Sequence, residues 1–213
     1  MIMEKKKILK TLSKIYLVGG IILIFFAFAA LSVSFYPNIW YTLREQASDE
    51  DTTSIAQVIE NIEPEEKENK ERYLPPYDSL LPKENIIKIS SIGVDSTVIE
   101  NDDPYKGLLK GTWIVPEFGT PPENNQPIII AAHRYGYTSW SSEFRYKNSF
   151  YNLPKSKVGD RVQIIWEQRN YEYEIYKAVD DTQITDYDAD LILYTCRMYN
   201  SPIRVFRYLK RVN

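Results

Sequence analysis

The apolar positions fall into one long run and a series of short ones. Lys5, Lys6, Lys7, Lys10 and Lys14 stand against a single Glu4, and no charged residue then occurs from Ile15 through Leu43. As a helix, residues 15–35 measure about 31 Å, matching the ~30 Å hydrocarbon thickness of a bilayer. Basic residues precede the run, and Glu45, Asp49, Glu50 and Asp51 follow it. This asymmetry predicts a cytoplasmic N-terminus and a chain that continues outside the membrane. Ala27-Phe28-Ala29 has the small-residue pattern of a cleavage site, but the apolar run continues through Leu31, Val33 and Phe35. That continuity favours an uncleaved anchor over residues 15–36, behind a basic tail over 1–14.

Residues 37–82 are poor in large apolar side chains, acidic between Glu60 and Glu71, and punctuated by Pro64, Pro75, Pro76 and Pro82. They read as an extracellular linker, with room for a short helical turn over 54–62. From residue 83 the pattern changes to β-like runs broken by turn residues, at 86–90, 94–100, 111–115, 127–133, 161–167, 171–179, 191–196 and 203–209. Eight short runs at such spacing predict an all-β sandwich or closed barrel, because parallel βαβ units would need a helical pattern between the strands. One helix is expected among them, over 142–153. Asp103-Pro104-Tyr105 reads as a turn.

Charge and composition narrow the partners. From Lys83 to the end, 17 basic residues face 17 acidic ones. This balance disfavours nucleic acid as a partner, since phosphate contacts need a basic face and none stands out from the sequence. No spaced ligand cluster suggests a metal, and no cofactor motif occurs. The chain has one cysteine and hence no internal disulfide. In an exported protein a lone thiol is either buried or used.

That cysteine, Cys196, closes the run Leu191-Ile192-Leu193-Tyr194-Thr195-Cys196. The only histidine, His133, closes Ile128-Ile129-Ile130-Ala131-Ala132-His133. A lone cysteine or histidine at such a place is more often a core residue than a reactive one. The joint pattern points further, because thiol, imidazole and a following arginine supply the nucleophile, proton shuttle and oxyanion partner of acyl transfer. A thiol attacks only as thiolate, and unperturbed values near 8.5 and 6.5 leave about 1% of molecules with both thiolate and imidazolium at pH 7.

Ile-Ile-Ile-Ala-Ala-His-Arg ending at Arg134, Val158-Gly159-Asp160-Arg161-Val162, Leu-Tyr-Thr-Cys ending at Cys196, and Arg204-Val205-Phe206-Arg207 resemble the successive landmarks of the sortases, membrane-anchored cysteine transpeptidases. The resemblance extends from about residue 86 to the end. It implies an eight-stranded barrel over 83–213, with one or two short helices, in which Cys196 is the nucleophile, His133 the general acid and base, and Arg204 the oxyanion partner. Arg134, Arg197 and Arg207 are rivals to Arg204, but strand alternation puts Arg204 and Phe206 on one face and Arg207 on the other. Thr195 and Arg197 are expected at the substrate, Arg197 through its backbone N–H.

The implied reaction cleaves an LPXTG-like C-terminal sorting signal of another exported protein through a thioester. The acyl group passes to an amine from a cell-wall precursor or a protein lysine. A thiol hydrolase on the same fold, and a silent membrane-anchored domain that only binds peptides, are the alternatives. Ile192 replaces the first threonine of the family's usual Thr-Leu-x-Thr-Cys, and Ala132 the glycine before the histidine. The sortase class therefore stays open.

Overall fold

The structure is a computed structural model that describes residues 2–43, 47–60, 74–123, 126–199 and 201–212. Residues 61–73, which hold most of the expected acidic linker, lie outside the described residues. The chain divides into two compact units, Met1–Arg44 and Glu45–Asn213.

The first unit is a single helix, α1 (Ile2–Leu43). Its segment Leu12–Ser32 is long and apolar enough to cross a bilayer. Ile15, Leu23, Phe25 and Phe28 lie exposed along it. An apolar helix of this length is what a bilayer can accommodate, since its backbone groups are bonded internally.

The second unit is a closed barrel of eight strands. In chain order these are β1 (Ile86–Ile89), β2 (Val94–Glu100), β3 (Thr112–Ile114), β4 (Ile128–Ala131), β5 (Arg161–Trp166), β6 (Arg169–Asp181), β7 (Leu191–Cys196) and β8 (Arg204–Arg211). Around the barrel the order is β1-β2-β3-β4-β7-β8-β6-β5, with β5 closing onto β1. The β2–β3 and β4–β7 pairs are parallel and the others antiparallel. Parallel neighbours need a crossover. Between β2 and β3 it is α3 (Pro104–Leu109), where a turn was expected. The Asp103 side chain accepts from Tyr105 N at 2.9 Å and Pro104 takes the first helical position, both strong helix-start devices.

Every residue of β4 and β7 is buried, so their sequences are unbroken apolar runs instead of alternating ones. Their inward side chains, Ile128, Ile130, Leu191 and Leu193, join Val205, Leu209, Tyr171 and Tyr173 in the barrel interior. Their outward side chains, Ile129, Ala131, Ile192, Tyr194 and Cys196, join Trp113, Leu108, Phe206 and Tyr208 in a second apolar layer. That second layer needs a cover. Part of it is α2 (Ala47–Glu60), whose Ile55 is fully buried there with Val58 and Ile59 packed alongside. These positions are three and four apart, one helical face.

Part of the expected linker over 37–82 is thus ordered within the described residues. Residues 47–60 are helical and packed on the barrel. Residues from 74 onward are tied to the β5–β6 turn, where Asp78 N donates to Gln168 O at 2.9 Å and Gln168 Nε2 donates to Ser79 O and Leu81 O. The expected helix over 142–153 is shorter, α4 (Ser142–Asn148), capped by Ser141 Oγ on Phe144 N.

Candidate active site

Register brings the reactive groups together. β4 pairs parallel with β7 as Ile128↔Leu191 through Ala131↔Tyr194. His133 lies two residues beyond Ala131 and Cys196 two beyond Tyr194, so both emerge at the same level of the same barrel end. β8 returns antiparallel with Cys196 directly opposite Arg204. The pleat then puts Cys196, Tyr194, Arg204 and Phe206 on the outward face, and Leu193 and Arg207 on the inward one. Arg207 is fully engaged there, donating to Ser156 Oγ and to the carbonyls of Leu153, Pro154 and Phe206. Arg204 lies on the face of the thiol, and of the two arginines that favour the thiolate, Arg204 and Arg134, it acts the more strongly.

Helix α2 lies across this face. Thr52 Oγ1 is 3.1 Å from His133 Nε2, Ser54 Oγ is 4.0 Å from Cys196 Sγ, and Arg204 Nη2 donates to Ser54 O at 2.9 Å. Tyr194 Oη donates to Ile55 O at 3.1 Å, and Tyr199 Oη to Glu50 at 3.0 Å. Cys196 is 1% exposed and His133 0%. No peptide carbonyl reaches the sulfur while α2 stays in place. Along the flank of α2 a groove of about 360 Å³ runs past Gln57, Val58, Thr182, Ser201 and Pro202 and ends at Arg204. A larger cavity of about 610 Å³ lies by Glu100, Pro116 and Trp166, where β3 runs out beside the start of β4. That is the opposite end of the barrel from Cys196, and neither a cysteine nor a histidine lines the cavity.

Burial sets the charge state. It pushes the Cys196 thiol up to about 12, assisted by repulsion from Asp51 on α2 and opposed by Arg204 and Arg134. Burial also lowers the His133 imidazole to about 3. A low-dielectric site disfavours both ions. Thiol and imidazole are therefore both neutral in this closed arrangement at pH 7, and the thiolate–imidazolium pair is not populated. His133 Nδ1 has no hydrogen-bond partner among the described residues.

Thr195 and Arg197 are both engaged within the protein. Thr195 points away from the groove, fully buried, and its hydroxyl donates to Ala132 O at 2.7 Å. It ties the strand of Cys196 to the strand of His133. The Arg197 backbone N–H donates to Ile203 O at 2.9 Å, its side chain pairs with Asp180 at 3.1 Å, and its carbonyl accepts from Arg134. In this closed arrangement that N–H is committed to the β7–β8 connection. Three residues of this site escaped the sequence reading: Thr52, Ser54 and Tyr137. Tyr137 stacks edge-on to the imidazole with ring centres 5.2 Å apart.

The sortase domain model matches residues 87–212, which contain His133, Cys196 and Arg204. The chain belongs to the sortase family. At family level it is therefore a transpeptidase with the closed eight-stranded barrel of that fold. A sortase A from Corynebacterium diphtheriae, a lid mutant, superposes with a TM-score of 0.51 at 20% identity, covering 62% of this chain and 71% of that one. Sortase C1 from Streptococcus agalactiae gives 0.51 at 20% identity over 61% and 67%. Another structure of the Corynebacterium diphtheriae sortase A gives 0.50 at 16% identity over 78% and 84%. At such identities the likeness extends to the fold. A search of the curated proteins finds no match.

Proposed function

We propose that this sortase cleaves an LPXTG-like C-terminal sorting signal of exported proteins through a thioester on Cys196 and transfers the acyl group to an amine. The observation that carries the reading is the shared strand-end level of His133 and Cys196, with Arg204 opposite the thiol. Once α2 withdraws, water and peptide reach the pair and the burial that keeps both neutral is relieved. The Cys196 thiolate adds to the scissile carbonyl carbon. Arg204 donates to the oxygen that becomes negative, as it now donates to the Ser54 carbonyl. The C–N bond breaks, His133 protonates the departing amine, and a thioester remains. An incoming amine, from a cell-wall precursor or a protein lysine, then displaces the sulfur.

The lysine-rich flank before the apolar helix supports a single-pass protein with its N-terminus in the cytoplasm and the barrel outside, where exported substrates pass. The test is to incubate the full chain in detergent with a library of LPXTG-like peptides, with and without small amines. Mass spectrometry then reports adducts on Cys196 and amine-capped product, with Cys196→Ala and His133→Ala alongside. Adduct and capped product in the wild type alone support the reading. Adduct that yields only the free acid, whatever the amine, makes the enzyme a hydrolase, and no adduct with any peptide removes the catalytic assignment.

A further inference from the structure

The β4–α4 connection holds a phenol against the imidazole with unusual firmness. Gly136 has φ +70, and a Cβ there would lie 2.1 Å from the Trp140 ring. Only glycine lets the loop fold so tightly, since a side chain would meet both backbone strain and an aromatic wall. Trp140 packs against both His133 and Tyr137, at 6.0 and 5.4 Å between ring centres. From α4, Arg145 reaches back and donates to the carbonyls of Tyr135 and Tyr137. Three separate devices thus fix one residue four positions beyond the histidine.

What they fix is the Tyr137 ring, on the side of His133 that α2 covers. Thr52 Oγ1 of α2 lies 3.1 Å from His133 Nε2 and 3.3 Å from Tyr137 Oη. In the closed arrangement a substrate-sized polar atom therefore already occupies a point within hydrogen-bonding reach of both groups. When α2 leaves, that point is vacated, while Gly136, Trp140 and Arg145, none of them on α2, still hold the Tyr137 ring beside the imidazole. A nucleophilic nitrogen needs such a place, with one N–H on the base, another on a neutral acceptor, and its lone pair directed at the thioester.

We propose that Tyr137 positions the acceptor amine, its phenol oxygen accepting one N–H of the nitrogen while His133 Nε2 takes the proton of another. This rests on the transpeptidase reading and specifies its second step. The amine nitrogen forms a bond to the thioester carbonyl carbon and the C–S bond breaks. One proton passes from nitrogen to His133 and on to the departing sulfur, leaving an amide and the free thiol.

Tyr137→Phe keeps the ring that packs on His133 and Trp140 and removes only the hydroxyl. The full chain in detergent is acylated with the productive peptide, then mixed with glycinamide or with Nα-acetyl-lysine amide. Amide formation is followed in a single turnover against amine concentration. The variant raises the amine concentration for half-maximal rate roughly three- to tenfold, as the loss of one hydrogen bond predicts. The maximal rate stays within about twofold, and acylation is no slower than in the wild type. A role in packing alone would slow acylation and deacylation together, and that outcome overturns the proposal, as does an unchanged amine dependence. If the wild type forms no acyl-enzyme, the transpeptidase reading falls and this proposal with it. If acyl-enzyme forms and the variant behaves as wild type, only the role of Tyr137 is lost.

Discussion

Replacing Ile55 by aspartate tests whether α2 governs access to the thiol. Ile55 is fully buried in the outer apolar layer beside Tyr194, and the residue just before it carries the carbonyl that Arg204 holds. Burying an isoleucine side chain stabilises the docked helix by about 1.5–3 kcal/mol. A carboxylate in its place loses that contribution and adds a desolvation cost. At about 1.4 kcal/mol per tenfold, the lost burial alone raises the undocked population about 10- to 150-fold, and the desolvation cost raises it further. The assay is alkylation of the full chain by iodoacetamide at neutral pH, read by intact mass. With one cysteine in the protein, whole-protein mass reports Cys196 alone. Because Cys196 is 1% exposed and its thiol is held near 12 in the closed form, alkylation proceeds from the undocked form and its rate follows that population. Near-ultraviolet circular dichroism checks that the barrel is intact. An alkylation rate within twofold of wild type, with the barrel intact, would refute the claim that α2 shuts the site.

The same closed form has a pH signature. His133 sits near 3 when α2 is docked, against an ordinary 6.5 when exposed, so the undocked form binds the extra proton and docking weakens as pH falls below about 6.5. Hydrogen exchange of the α2 amides, corrected for intrinsic rates, is expected to quicken about tenfold between pH 7.5 and 5.5, and His133→Gln to abolish that change. Arg204→Lys keeps the charge but not the planar fork of donors, and acylation of Cys196 by peptide is expected to slow by about 10²-fold, measured in a single turnover. Thr195→Val leaves Ala132 O without its donor in a fully buried place, and stability to urea is expected to drop by about 1–3 kcal/mol.

Much of this protein is legible along the chain because the relevant physics is local. A run of uncharged residues long enough to span a bilayer, and strands so apolar that both faces must be buried, announce themselves by composition and length. So do His133 and Cys196, each ending such a strand, and the alternation that separates Arg204 from Arg207. Asp103-Pro104 carried a helix-start signal that a turn reading passed over, although both of its devices are local.

Tertiary structure decided the rest. Ile55, Val58 and Ile59 make an apolar stripe too short to stand out in an acidic stretch, and a stripe names no docking partner. The contact of Thr52 with His133 joins positions 81 apart in sequence, and that of Ser54 with Cys196 positions 142 apart. Whether the Thr195 hydroxyl faced a groove or a neighbouring strand turned on the parallel pairing of β4 with β7. That pairing is set by which strands close the barrel and not by anything in either run. The charge states of Cys196 and His133 likewise belong to the helix that covers them. Desolvation is a property of the surroundings, and these are supplied by residues far away in the chain.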